Sequence, residues 1–260
     1  MDKKKVLAIF AHPDDIEIFA SGTMLLLKEK GWELHYMTLS NGDLGAIEGS
    51  REDIGRIRIA ESRKAAKLLG AIYHEPFVGD MQIEHSQELI SKLASIVRLV
   101  QPDIILTHPL EDYMEDHINA GRLACTAAFV RAAFPYKSDP PLPSYNKQLA
   151  IYHCNPHGLK DRMKRNVSPD FYINVESVME KKKEAIECHK SQEVWMKSSQ
   201  GNASLSGLAE ENAFNVGKAS GCFTYAECWT SHLHIGYCEE YYNPLHEELK
   251  EFIQDEKIRS

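Results

Sequence analysis

The sequence predicts an α/β fold: a single domain built on a Rossmann-like, mostly parallel sheet flanked by helices. Three observations carry this. Short apolar runs at residues 6–10, 34–39 and 104–107 read as buried strands, and they alternate with segments of helical periodicity. Each run stops at a cluster of polar and turn-forming residues, as strands do at the ligand-binding edge of an open parallel sheet. A chain of 260 residues at 43% hydrophobic suffices for one large core. Strand-helix alternation further implies right-handed crossovers and therefore parallel neighbours.

In chain order, the first strand, residues 6–10, stops at Ala11-His12-Pro13-Asp14-Asp15. Pro13 stiffens that turn by fixing its own φ and restricting His12. A helix over 21–30 closes at Gly31, and the strand 34–39 ends at Ser40-Asn41-Gly42-Asp43. Residues 43–50 read as a loop entering a helix over 51–69, closed by Gly70, whose apolar stripe runs through Ile54, Ile57 and residues 65–69. Arg51 stands in its first turn, where the macrodipole disfavours a cation, so it is either a surface charge or the holder of an anionic partner.

A short strand starts at 72–73 and runs to 77–78, with Gly79-Asp80 as its turn. A helix over 89–100 is stopped by Pro102, and the strand 104–107 follows. The next helix starts near Asp116 or His117 and runs to Phe134, with Asp116 a candidate N-cap. Residues 150–153 and 171–175 read as later strands and 178–188 as a helix. Two stretches read as loop insertions in a domain spanning 1–260: 135–148, which includes PYKSDPPLP, and 195–222, polar and Gly/Ser-rich, a flap with a short helix near 209–215. Residues 244–260 read as a charged, peripheral helical tail.

Composition narrows the partners. A formal net charge of −8 argues against nucleic acid, which needs clustered Lys and Arg. No run approaches the roughly 18–20 apolar residues of a membrane span. Met-Asp-Lys-Lys-Lys leads into a strand too short for a signal-peptide core, so the expectation is a cytoplasmic protein without membrane contact. The six cysteines are scattered without a C-x-x-C, as suits reduced thiols, and a finger-type zinc is not expected.

Chemistry concentrates at two strand ends. His12, Asp14 and Asp15 follow the first strand, and His108, Glu111, Asp112, Glu115, Asp116 and His117 follow the strand 104–107. The first cluster alone admits two readings, a solvated turn with a capping Asp or part of a divalent-metal site with N and O donors at about 2.0–2.2 Å. The second cluster favours the metal. His12 and Asp15, three residues apart, suit one ion, but the residues alone do not choose between Asp14 and Asp15.

These motifs resemble a known family. AHPDDIE at 11–17 is similar to the AHPDD-x-E signature of PIG-L/LmbE-like zinc deacetylases. Asp112-Tyr113 with Asp116-His117 is similar to their D-Y-H-x-D-H block, except at Met114. Gly49-Ser50-Arg51, Arg58-x-x-Glu61, Cys188-His189-Lys190-Ser191-Gln192 and Tyr225-Ala226-Glu227 extend the resemblance. It implies one zinc per chain on His12, Asp15 and His117, with Asp14 as general base and then acid. It also implies that Arg51, Asp112, Asp116 and His189 bind substrate or support the site. The implied reaction removes an N-acetyl group from a small amino-sugar or related amine, in a homo-oligomer.

Met114 is the departure. The family usually has a histidine here that assists the oxyanion, whereas a thioether donates no hydrogen bond. The alternative expectation is therefore a catalytically degenerate or altered-specificity metal-binding relative. His153, His157, His189, His232 and His234 are candidates to fill the gap. His108, close to the strand 104–107, could stand behind the ligands, and Glu17 could orient a ligand imidazole or equally be a surface residue of the turn.

Overall fold

The protein is described by a computed structural model covering residues 3–199 and 204–256. Its elements are β1 (Lys5–Phe10), α1 (Asp15–Phe19), α2 (Ser21–Glu29), β2 (Glu33–Thr38), α3 (Arg51–Leu69), β3 (Ile72–His74), α4 (Gln87–Val100), β4 (Ile104–Thr107) and α5 (Glu115–Phe129). After these come β5 (Ala150–Cys154), β6 (Phe171–Asn174), α6 (Met179–Ile186), α7 (Lys190–Ser199), α8 (Leu205–Ser220), β7 (Ala226–Ser231), α9 (Pro244–Glu248) and β8 (Ile253–Asp255).

The eight strands form one sheet in the order β3-β2-β1-β4-β5-β7-β6-β8. The first five are parallel, and β7, β6 and β8 pair antiparallel. The expected α/β sheet is thus present, with a C-terminal antiparallel extension. β1 is buried on both faces, which explains its unbroken apolar run: Val6, Ala8 and Phe10 pack into one core, and Leu7 and Ile9 into the other. β4 continues both cores, with Ile104 and Leu106 on one side and Ile105 on the other.

Local chemistry sets the helix ends. Ser50 caps α3 by accepting from the Asp53 amide, and Gly70 closes it in the left-handed region at φ 72°. Ser86 and Ser204 cap α4 and α8 in the same way. The first helix differs from expectation. It begins at Asp15 with one short turn and breaks at Ala20, so that α1 and α2 are separate. Residue Ile57 is 47% exposed, and the buried face of α3 is instead Gly55, Arg58, Ser62, Ala65, Ala66 and Leu69.

Three further expectations are corrected. Residues 195–222 are no loop insertion: α7 and α8 occupy most of the stretch, and α8 buries Leu205, Ala209, Ala213 and Val216 against the sheet and neighbouring helices. Its buried stripe is made of small side chains, which gives little hydropathic signal. The tail is not peripheral, since Leu245 and Leu249 are fully buried and β8 adds a strand beside β6; residues 257–260 lie outside the described residues. The helix expected to reach Phe134 ends at Phe129 and passes into a 3-10 turn. Among the described residues, no helix is long and apolar enough to cross a membrane.

Candidate metal centre

The carboxyl ends of β1, β2 and β4 are adjacent in the sheet, so the turns that follow them meet. His12 and Asp15 come from the turn after β1, Asp43 and Asp80 from the loops after β2 and β3, His108 and Asp112 from the segment after β4, and Asp116 and His117 from the first turn of α5. Gly121, one turn further along α5, permits the approach. A Cβ there would lie 2.6 Å from the His108 carbonyl oxygen.

His12, Asp15 and His117 each present a donor atom, all within 4.8 Å of one another. His12 Nδ1 is 3.4 Å from Asp15 Oδ2, and His117 Nε2 is 3.5 Å from Asp15 Oδ1. Each imidazole is held through its other nitrogen by a carboxylate: His12 Nε2 by Asp116 Oδ2 at 3.2 Å, and His117 Nδ1 by Asp112 Oδ1 at 3.1 Å. Such carboxylate-histidine pairs fix ring orientation and raise the basicity of a ligand. Asp116 also accepts from the Met81 amide at 2.7 Å. It does not cap α5; Met114 occupies the N-cap position, its own amide donating to Asp112.

The electrostatics favour a cation. Burial works against charge on His12, but the carboxylates of Asp116 and Asp15 outweigh it and hold the imidazole up to about 10. Burial likewise opposes the charge on Asp15, and His117 and His108 overcome it, keeping that carboxyl well below the usual range. Asp112 and Asp116 are also lowered against their burial, chiefly by His117 and by His12 respectively. This site retains a proton on His12 where a divalent ion could replace it. Two imidazole nitrogens and one carboxylate oxygen are the donor set of a catalytic zinc, so the residues fit the group.

Around the three donors stand residues with supporting geometry. The His108 ring stacks on His117 at 3.9 Å between centroids, and its Nε2 lies 3.1 Å from Asp15 Oδ2. Burial and the neighbouring His117 push His108 down to about 4, so a neutral ring meets the Asp15 carboxylate. His108 could alternatively join Asp112 and His117 as a donor group. The set containing His12 is preferred because both of its imidazoles keep an outer carboxylate partner.

Asp14 lies beside this group and outside it. Its backbone is left-handed at φ 101°, unusual for a residue with a side chain and the kind of strain that clusters at functional sites. Burial pushes its carboxyl up to about 6, and Arg58 opposes that rise. The Arg58 guanidinium donates to Asp14 Oδ2 at 3.0 Å, to the Pro13 carbonyl at 2.5 Å and to the Gly42 carbonyl at 3.0 Å, tying the turns after β1 and β2 together. Gly42, at φ 78°, has no Cβ to collide with that guanidinium.

Arg51 does not enter the donor group. It binds Asp43 through two nitrogens, at 2.9 and 2.8 Å, and reaches the Asp80 carbonyl, which organises the loop over 43–50. Asp80 in turn lies 3.8 Å from His12 Nε2. His189 is buried, with Nε2 3.2 Å from Glu17 Oε2. Burial works against its charge, but Glu17 raises its pKa overall, and its charge reaches Asp14. Glu17 therefore faces His189 and the Tyr36 hydroxyl rather than a ring of the donor group.

Sequence reasoning did not place Arg58 or Asp80 in the site. For Arg58 a signal existed: it falls between Ile54 and Glu61 on the helical face that should be apolar, and a charge in such a position marks a buried partner. For Asp80 no local pattern distinguishes it from an ordinary Gly-Asp turn.

Fold and site together define an α/β protein with an imidazole-carboxylate group able to hold a metal ion at the carboxyl edge of a parallel sheet. The PIG-L family profile, described as GlcNAc-PI de-N-acetylase, matches residues 7–128, and the chain belongs to this family. A 4-oxalmesaconate hydratase of Pseudomonas putida is 31% identical over 199 residues, 74% of this chain and 75% of the relative. A diacetylchitobiose deacetylase of Thermococcus kodakarensis is 29% identical over 205 residues, 75% of this chain and 73% of the relative. Among solved structures, N,N'-diacetylchitobiose deacetylase from Pyrococcus horikoshii superposes with a TM-score of 0.72 at 26% identity, covering 94% of this chain and 89% of the other.

Proposed function

We propose that the protein is a zinc-dependent N-deacetylase that hydrolyses the amide of an N-acetylated amino sugar or related small amine, with one zinc per chain on His12, Asp15 and His117. The observation that carries this reading is the position of Asp14, adjacent to three converging donors yet left free of them, with its carboxyl pushed up to about 6. Zinc bound there would act as a Lewis acid on the acyl carbonyl and make water more acidic. Asp14 takes a proton from the attacking water and, as the C–N bond breaks, returns it to the departing amine. The products are a free amine and acetate. A carboxyl raised by burial suits both halves of that cycle. Arg58 fixes the Asp14 side chain, and Asp112 and Asp116 fix the two imidazoles. Arg51 orders the 43–50 loop through Asp43, so that a substrate can be held there.

A second reading, hydration of an activated carbon-carbon double bond, is favoured by Met114 and by the hydratase among the relatives. Asp14 would again take the proton from water, the hydroxyl would add to one carbon and a proton to its neighbour. No amine would need protonation, and the proton held by Asp14 would go to carbon instead.

Acetate release from diacetylchitobiose and N-acetylglucosamine, measured beside absorbance loss from a conjugated enoate, separates the two. For the deacetylase, Asp14→Asn is expected to retain zinc while turnover falls about 10²–10⁴-fold. Full activity in protein stripped of metal would end the proposal.

A further inference from the structure

A second cluster of metal-binding side chains lies apart from the centre described above. Cys125 comes from the interior of α5, His153 from β5, and His232 from the residue just after β7. Cys125 Sγ is 3.9 Å from His153 Nε2 and 3.8 Å from His232 Nδ1, and the two nitrogens are 2.9 Å apart. We propose that Cys125, His153 and His232 form a distinct site for one thiophilic divalent ion of the zinc class.

Geometry is the first support. With bonds of about 2.3 Å to sulfur and 2.0–2.1 Å to nitrogen, a tetrahedral ion sets its ligands roughly 3.5 Å apart for S–N and roughly 3.3 Å for N–N. The observed distances lie on either side of these, so side-chain shifts of a few tenths of an ångström admit the ion. Orientation is the second. His153 Nδ1 donates to the His108 carbonyl at 2.7 Å, which leaves the Nε2 lone pair directed at Cys125 and His232. A ligand imidazole is oriented by its other nitrogen in this way.

Charge is the third. Burial pushes the Cys125 thiol up to about 12 and the His153 imidazole down to about 4, and lowers His232 as well. Burial thus disfavours charge on each of the three groups before an ion arrives. On binding, the thiol releases its proton to solvent and the sulfur binds as thiolate, so the buried site carries one net positive charge instead of two. Access is the fourth: His232, one of the three donor residues, lines a cavity of about 270 Å³ with Leu149, Tyr237 and Cys238. This donor set contains no carboxylate, unlike the one containing His12. His108 links the two sites, its ring touching Asp15 and its carbonyl holding His153.

The test uses the full chain, stripped with chelator and reloaded with cobalt(II) or zinc. Two ions per chain are expected, together with a sulfur-to-cobalt charge-transfer absorption. Cys125→Ser should abolish that absorption and reduce the stoichiometry to one. His232→Ala, at a partly exposed residue, should do the same and stands in if the buried substitution does not fold. His12→Ala should remove the other ion and keep the sulfur absorption, so failure of either site is seen independently of the other. Wild-type protein with no sulfur-to-cobalt absorption, or a stoichiometry that Cys125→Ser and His232→Ala leave unchanged, would overturn the proposal and assign the cluster to a His153-His232 hydrogen bond.

Discussion

The parallel and antiparallel parts of the sheet divide the labour of the site. The parallel strands β1, β2 and β4 lead into the turns that carry every donor of the candidate metal centre and the carboxylates behind them. The antiparallel strands supply none of these; they supply a brace. Glu227 on β7 accepts from the Gly22 and Thr23 amides at 2.8 and 2.7 Å, buried N–H groups at the start of α2 that have no partner within the helix. Lys182 on α6 binds the Glu17 and Ile18 carbonyls at 2.7 and 2.9 Å and pairs with Glu227 at 2.6 Å. An anion at the start of one helix and a cation against the carbonyls of the other satisfy the backbone groups that the break at Ala20 leaves open. Reactive groups come from turns close in sequence, and the fixing of those turns comes from residues about two hundred positions away.

The largest effect should come from breaking the brace. Glu227→Ala would leave Lys182 buried without its counter-ion and the α2 amides unpaired, a loss of about 3–5 kcal/mol by urea unfolding. Changing both partners to apolar residues of similar size, Glu227→Leu with Lys182→Met, should recover much of that loss, because no unpaired charge remains buried. If Glu227→Ala instead unfolds at the wild-type urea concentration, the division of labour is wrong.

Asp112→Asn probes the other side of the comparison. It removes the carboxylate that orients His117 while leaving the brace intact, so zinc affinity should fall about 10–100-fold with little change in unfolding midpoint of the metal-free protein. Competition with a chromophoric chelator measures the affinity. An unchanged zinc affinity would show that Asp112 shapes its turn and does not set the ligand.

The same division explains what could be read from the sequence. His12, Asp15 and the β1 run were legible because strand, turn and donors are contiguous, and the pairing with His117 required only that two parallel strand ends be neighbours. β7 was not, because Ala-Glu-Cys-Trp-Thr-Ser places a buried glutamate inside the strand, and its partner Lys182 sits in a helix that reads as solvent-exposed. α8 was read as a flap because Ala209, Ala213 and Gly217 make half of its buried face and give little hydropathic signal. Arg58 entered only as part of the Arg58-x-x-Glu61 resemblance and received no role, because the apparent apolar stripe of its helix ran through Ile57, which points outward. Cys125, His153 and His232 are joined by antiparallel pairing and by a helix crossing the sheet, contacts that leave no local pattern at all.

The smallest expected effect concerns the contact that joins the two parts, His189 with Glu17. Glu17 belongs to the turn that follows β1, while His189 follows α6, and both are buried. Burial alone would lower the histidine, yet Glu17 raises it above its ordinary value, so the folded protein holds the His189 proton more tightly than the unfolded chain. The sign follows from that difference. Stabilisation by the charged pair is complete below the ordinary histidine value of about 6.5 and is lost as pH rises through the raised value of the folded state. Wild-type protein and His189→Gln, compared by urea unfolding at a series of pH values from mildly acidic to alkaline, should differ most at the acidic end and converge as the pH increases. A difference that stays constant or widens toward alkaline pH would mean that His189 is held neutral, and that the two parts of the sheet meet here through packing rather than charge.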